Sequence, residues 1–540
     1  MLETYDYIVV GGGMAGCLLA NRLSQNSDVR VVLLEAGGKD DYIGAHIPAG
    51  YFYRHDNLRV DWGFRTAAID GLGGRSLDYT LGKIFGGGSS INAMIYMRGQ
   101  AGDYDQWREA GNPGWGWNDV LPYFLRHEDQ LALEFDDFDD MHRRGGEWRV
   151  EKPRMSWDIL DAWAAAAEQA GIAQISDFNR GDNEGSGYFH FNQRAGWRWN
   201  TVSAFLKPAL DRPNLTVVTH AAVQRLILQE HKVIGVEMLR NRIPMRLGAK
   251  REVILAAGSI GSPRLLQLSG IGPGEVLRRC GIEVLCDQPE VGANLQDHLE
   301  VRCVYKVAGV KTLNENVQTL WQKAKIVFEY ATQRNGPLSM APSLLGTFTR
   351  SDASQDAANL QYHIRPFSLD GLGEAFHKFP AFTAGVCNVR PTSRGYVQIT
   401  SPNYDVQPEI QPNYLSTEVD CFVAADAIRL TRAIVGQPPL QALTPEEIQP
   451  GANIASDDLE SLVDAARDGA NSLFHPVGTC RMGSDAHAVV DPRLKVNGVD
   501  GLRVVDASIM PSIPSGNPGA PTLMIAEKGA AMILEDWKTS

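Results

Sequence analysis

With 540 residues, 44% hydrophobic and 21% charged, the chain has an ordinary globular composition and the length of two or more lobes. A formal net charge of −13 with no basic tail to offset it argues against a nucleic-acid partner. Seven cysteines, odd in number and without C-x-x-C spacing, suggest neither a disulfide framework nor a zinc site. The expectation is a metal-free cytoplasmic enzyme.

In chain order, the apolar run Tyr7-Ile8-Val9-Val10 reads as a buried strand that breaks into Gly11-Gly12-Gly13-Met14-Ala15-Gly16 and then a helical pattern. Strand, glycine turn and helix are in the order that G-x-G-x-x-G needs to cradle a pyrophosphate. Gly11 allows the sharp turn, Gly13 lets phosphate approach the backbone, and Gly16 lets the helix pack closely; the helix N-terminus then favours an anion. Val31-Val32-Leu33-Leu34 ends at Glu35, nineteen residues after Gly16, where an acid can accept hydrogen bonds from a ribose diol. NAD and FAD both remain open at this point. The first strand is entered by about Tyr5, so no signal peptide is expected, and no apolar run reaches the roughly 20 residues that span a bilayer.

A second glycine cluster at residues 82–94 lets backbone amides reach a bound group and predicts a following helix; a loop between packed elements is the alternative. Asn118 or Asp119 is expected to cap a helix carrying Val120, Leu121 and Phe124. The acidic run 134–140 lacks ligand spacing and reads as a solvated loop. Strands are expected at 215–219, 222–228 and 251–258, a differently patterned second lobe from about 305 to 460, a strand at 502–508, and an amphipathic helix from about Thr522 to Trp537.

These motifs resemble the glucose–methanol–choline (GMC) flavoprotein oxidoreductases. Residues 11–16 with Glu35 look like that family's ADP-binding turn, 82–94 like its first signature and 258–273 like its second. Val291-Gly292-Ala293-Asn294-Leu295-Gln296-Asp297-His298, then His475-Pro476-Val477-Gly478-Thr479-Cys480-Arg481-Met482-Gly483, and Asn517 continue the series in order. The resemblance implies an α/β fold, α+β overall: a doubly wound, Rossmann-like FAD domain at 1–155, 205–304 and 465–540. Interleaved with it would be a substrate-binding domain on a mixed or antiparallel sheet at 156–204 and 305–464. It implies FAD phosphates on Gly11, Gly13, Ala15 and Gly16, the ribose on Glu35 with Ala36 beside it, and adenine at Val223. Gly87, Asn92, Ala93 and Met94 would approach the pyrophosphate and flavin, and Asp506 and Ala507 the ribityl chain and pyrophosphate.

Flavin-dependent alcohol oxidation needs a base for the hydroxyl proton and a hydride path from carbon to flavin N5. A neutral imidazole suits the first task. By resemblance His475 is that base and Asn517 the group that positions the alkoxide oxygen, while His298 is structural or close to the cofactor. Ile91 stands where some choline-oxidising members attach FAD covalently through histidine, which implies non-covalent FAD. Choline-oxidising members hold the ammonium with a glutamate after the Asp-His pair; an ungapped count puts Lys306 there, which disfavours choline. Phe328, Tyr330 and Phe367 could line a pocket or belong to the core. The expected activity is oxidation of a primary, non-choline alcohol to its aldehyde, with electrons passed to a quinone- or dye-like acceptor. An oxidase using O2 and producing H2O2, and a hydroxynitrile lyase, are the alternatives. Oligomeric state stays open, with a homodimer as one arrangement.

Overall fold

The structure, a computed structural model, describes residues 3–53, 57–135, 139–371 and 373–538. Continuous apolar runs make the first sheet. Val31–Leu34 is buried along its whole length, as a parallel strand covered on both faces must be. Across this sheet run Leu215–Val218, Val31–Leu34, Glu3–Val10 and the long strand Ile243–Leu255. On its side away from Glu3–Val10, that last strand serves two neighbours. Its first half pairs antiparallel with Lys232–Arg240, and its second half pairs parallel with Leu502–Val504. Glu3–Val10 thus lies between a strand that follows it at once and one some 240 residues later, the reversal of order that opens a crevice at the strand ends.

The helix Met14–Leu23 packs on Gly519–Asp536, joined by a buried ion pair from Arg22 to Glu527 at 2.6 Å. The latter helix begins three residues before the expected Thr522, because Pro521 falls in its first turn, where a missing N–H leaves no hydrogen bond unmade. Two other expectations shift. Residues 82–94 form only the short turn Gly87–Ser90, with Gly86 and Gly87 both at positive φ, instead of opening a helix. In Trp117–His127 the cap position is Gly116, and Asp119 reaches back from inside the first turn to accept its N–H at 3.0 Å. Of the acidic run, Asp136, Asp137 and Phe138 lie outside the described residues; Asp139 pairs with Arg180 at 3.0 Å. No helix of the described residues is long and apolar enough to cross a membrane.

The second sheet is antiparallel throughout: Glu446–Gln449, Leu299–Lys306, Ala381–Asn388, Leu360–Arg365, Leu345–Thr349 and Gly185–Tyr188, with Asn471–Ser472 also on Leu299–Lys306. Leu299–Lys306, which spans the expected division at 304/305, is one strand of this sheet, and Asn471–Ser472 pairs with it. Side chains alternate with period two. Tyr362, Phe382, Ala384 and Val386 face the helices Asp158–Gln169 and Glu418–Val435, where Trp163 donates to Thr347 and Tyr362 to the Ala427 carbonyl. The opposite face carries Gln361, His363 and Arg365 on one strand and Glu300 and Arg302 on another.

Candidate active site

A cavity of about 460 Å³ lies where the first sheet's strand ends meet the polar face of the second. At its floor Gly11 follows Val10 with φ +104°, and a Cβ there would stand 2.5 Å from the Ala256 carbonyl oxygen. A Cβ on Gly87 would come within 2.9 Å of the Gly13 Cα, so the two glycine turns abut and leave a trough where backbone alone meets a ligand. Gly16 does not line the cavity; a Cβ there would fall 1.8 Å from the Gly11 oxygen, so it serves close packing of helix on turn.

Every other expected cofactor contact borders this one cavity: Gly11, Gly13, Ala15, Glu35, Ala36, Gly87, Asn92, Ala93, Met94, Val223, Asp506 and Ala507. Glu35 accepts the N–H groups of Gly12 at 2.8 Å and Gly37 at 2.7 Å. Burial pushes its pKa up to about 7 against those two bonds. Each oxygen keeps a further lone pair for a hydroxyl donor. Asn92 accepts the Met94 N–H at 2.9 Å and holds Met94 at φ +61°. Asp506 accepts from Gly258 N–H, Ser262 Oγ and Ser508 N–H, tying the end of the last strand to the start of the helix Gly258–Leu268. The trough, the glycine cradle and a buried acid at its far end fit a long dinucleotide.

Beside the cradle, Gln361 Nε2 lies 3.1 Å from Asn517 Oδ1, Asn517 Nδ2 lies 3.1 Å from His475 Nε2, His475 Nδ1 lies 3.0 Å from His298 Nδ1, and His298 Nε2 lies 3.4 Å from the Val389 carbonyl. A carbonyl can only accept, so the proton of His298 sits on Nε2 and its Nδ1 accepts from His475. That leaves His475 Nε2 as the bare nitrogen, with Asn517 donating to it. Tautomers and amide orientation are assigned here from this network. Burial, then the neighbouring His298 and His363, hold His475 well below its ordinary pKa of 6.5. Burial also takes His298 down to about 3, so both rings are neutral, each with one proton, that of His475 lying between the two Nδ1 atoms.

Asp297 positions this pair. Its Oδ1 accepts the backbone N–H of His298 at 2.8 Å and of His475 at 2.7 Å, while Oδ2 accepts the hydroxyls of Tyr79, Ser472 and Tyr414. Burial pushes its pKa up and the five donors oppose this. The Asp297-His298 block is plain in the sequence, but nothing beside it marks Asp297 for this role.

The polar face of the second sheet supplies the remaining wall. Glu300 receives both Arg365 amino groups, one at 2.9 Å. It reaches across the central strand over Gly385, where a Cβ would stand 2.2 Å from its Oε1. Lys306 is not in this wall; it lies at the surface against Glu446 at 3.1 Å. Lys306 therefore has no bearing on choline, and the acid that follows His298 along the chain and lines the cavity is Glu300. Of the three aromatic candidates Phe367 lines the cavity, Tyr330 is buried elsewhere with its hydroxyl on the Gly196 carbonyl, and Phe328 is 70% exposed. The sequence did carry a signal for Glu300, Arg302, His363 and Arg365: in 299–303 and 360–365 polar and apolar residues alternate.

Residues 5–300 and 391–526 match the N- and C-terminal family patterns described as GMC oxidoreductase. The chain is 37% identical over 532 residues to the alcohol dehydrogenase [acceptor] of Pseudomonas putida, covering 98% of this chain and 96% of that one. It is 41% identical over 541 residues to the oxygen-dependent choline dehydrogenase of Vibrio vulnificus, covering 99% and 95%. Among solved structures, pyridoxine 4-oxidase from Mesorbium loti superposes with a TM-score of 0.87 at 31% identity, covering 98% of each chain. The chain belongs to the GMC oxidoreductase family.

Proposed function

We propose that this GMC oxidoreductase binds FAD non-covalently and oxidises the CH–OH group of a primary, non-choline alcohol, with His475 as base and Asn517 as positioning group. The observation that carries the reading is the bare Nε2 of a neutral His475 held beside the Asn517 amide on the wall of a glycine-lined cavity. Glycine turns and Glu35 would hold the ADP end of the cofactor; Asn92, Ala93 and Met94 would border its flavin. Held there, FAD would supply the acceptor for a hydride from the carbinol carbon. His475 Nε2 takes the hydroxyl proton, and Asn517 Nδ2 donates to the oxygen as it gains charge. The Val389 carbonyl, through His298, keeps that nitrogen free of a proton beforehand. Glu300 is committed to Arg365, so this wall offers no unpaired carboxylate to a quaternary ammonium among the described residues.

A dehydrogenase is favoured by the likeness to an alcohol dehydrogenase named for an acceptor, and an oxidase is kept open by the likeness to pyridoxine 4-oxidase. Anaerobic addition of a panel of primary alcohols and choline should bleach the flavin with at least one alcohol and not with choline. Air should then restore the spectrum slowly for a dehydrogenase and within a turnover for an oxidase. Absence of bleaching by every alcohol would defeat the reading. Ile91, which lines the cavity and has no nucleophilic atom, predicts that acid precipitation leaves all yellow colour in the supernatant; colour in the pellet would show a covalent link.

A further inference from the structure

The helix Leu320–Gln333 turns its apolar side away from the protein. At about 100° per residue, Leu320, Trp321, Ala324, Val327, Phe328 and Ala331 fall on one stripe about 120° wide, and every one of them is exposed. Leu320 and Trp321 are each 86% exposed, more than any other large apolar side chain among the described residues. The opposite side carries Gln322, Ile326 and Tyr330, of which only Tyr330 is buried. A helix on a water-soluble surface ordinarily does the reverse.

This helix is held by its ends. Thr319 caps it, its hydroxyl accepting the Gln322 N–H at 3.2 Å while its own N–H donates to Gln322 Oε1 at 2.9 Å. At the other end the Tyr330 hydroxyl donates to the Gly196 carbonyl at 2.8 Å, and Arg334 lies over the Trp197 ring at 4.2 Å. A helix of 14 residues is marginal without tertiary packing, and a contiguous exposed apolar stripe on it points to a partner. Charge identifies that partner. Lys323 and Lys325 stand on the two shoulders of the stripe, each about 100° from its centre. Arg154 and Arg334 adjoin its C-terminal end, where Arg154 Nε donates to the Arg334 carbonyl at 2.8 Å. Among the described residues none of these four cations has a carboxylate at ion-pair distance, although the chain as a whole carries a net charge of −13.

We propose that Leu320–Gln333 seats the protein on an anionic lipid surface, lying in the headgroup plane. The apolar stripe enters the acyl boundary, and the lysine stems on both shoulders reach back to the headgroups. Trp321 suits that boundary, with an apolar ring and one N–H for the wet side. A second copy of the chain, docked about a two-fold axis, would instead bring these same cations together. The seat is independent of the alcohol-oxidation reading.

The test is flotation of the FAD-loaded full chain with two kinds of vesicle, phosphatidylcholine alone and phosphatidylcholine with phosphatidylserine in equal parts. The wild type should bind the anionic vesicles about tenfold or more tightly than the neutral ones, and added salt should release it. Lys323→Gln with Lys325→Gln, and separately Trp321→Ser with Phe328→Ser, should each weaken that binding about tenfold or more. All four side chains are exposed, so both double variants should keep their flavin and their melting temperature. Should a double variant lose its flavin, the single variants Lys323→Gln and Trp321→Ser decide by the same readout. No binding by the wild type, equal binding to the two kinds of vesicle, or binding unchanged in either flavin-retaining pair of substitutions would overturn the seat. Self-association of the wild type that Trp321→Ser with Phe328→Ser abolishes, without vesicle binding, would overturn it in favour of a second copy.

Discussion

His475→Ala should keep the oxidised flavin spectrum and lose about 10²–10⁴-fold in the rate of flavin reduction by alcohol, the usual contribution of a positioned base. The variant removes the only bare imidazole nitrogen at the junction of Asn517 and His298, and Asn517 has no basic atom to replace it. The pH dependence follows from the direction of the shift. A protonated His475 cannot accept the hydroxyl proton, and because burial and two neighbouring histidines lower its pKa, protonation comes only below the ordinary 6.5. The wild-type rate of reduction should therefore hold from neutrality through pH 6.5 and fall only at more acid values. Anaerobic stopped-flow reduction across pH measures both points. An alanine variant as fast as wild type, or an acid limb centred at or above 6.5, would remove His475 from the role of base.

The second large effect is expected at Asp297, with opposite outcomes for two substitutions. Asp297→Leu strands two buried backbone N–H groups, those of His298 and His475, at about 1–3 kcal/mol each, and leaves three hydroxyls to find new partners. It should lower the unfolding free energy by several kcal/mol and slow flavin reduction, because the segment carrying His475 loses its tether. Asp297→Asn keeps an oxygen for the two N–H groups and turns its amide toward hydroxyls that can rotate to accept. Stability and rate should therefore stay much nearer wild type. Unfolding followed by flavin release, together with stopped-flow reduction, separates the cases. A leucine variant indistinguishable from wild type, or an asparagine variant as damaged as leucine, would show that Asp297 does not hold the pair.

The cofactor cradle was legible in the sequence because its physics is local. A turn that needs positive φ at Gly11, and a backbone contact that tolerates no Cβ at Gly87, leave glycines at fixed spacings. His475 and Asn517 could be named only through resemblance, since nothing near either residue announces that Asn517 will meet His475, 42 positions away. The second sheet's wall escaped for a different reason. A strand such as 360–365 alternates polar and apolar residues whether its polar face meets solvent or an internal cavity, and only the pairing with Leu299–Lys306 across Gly385 shows which. The same lack of a third dimension placed Lys306, a surface residue, in the wall that Glu300 lines.

The long strand Ile243–Leu255 has a consequence for how the protein comes into being. Its second half waits for Leu502–Val504, and the helix Met14–Leu23 waits for Gly519–Asp536, whose Glu527 neutralises a buried Arg22. During synthesis the second sheet can collect all its strands, residues 185 to 472, before the first sheet has its edge or its cover. The helix Met14–Leu23 is thus among the latest parts to close, and its apolar face must be shielded on the ribosome while nearly five hundred further residues are added.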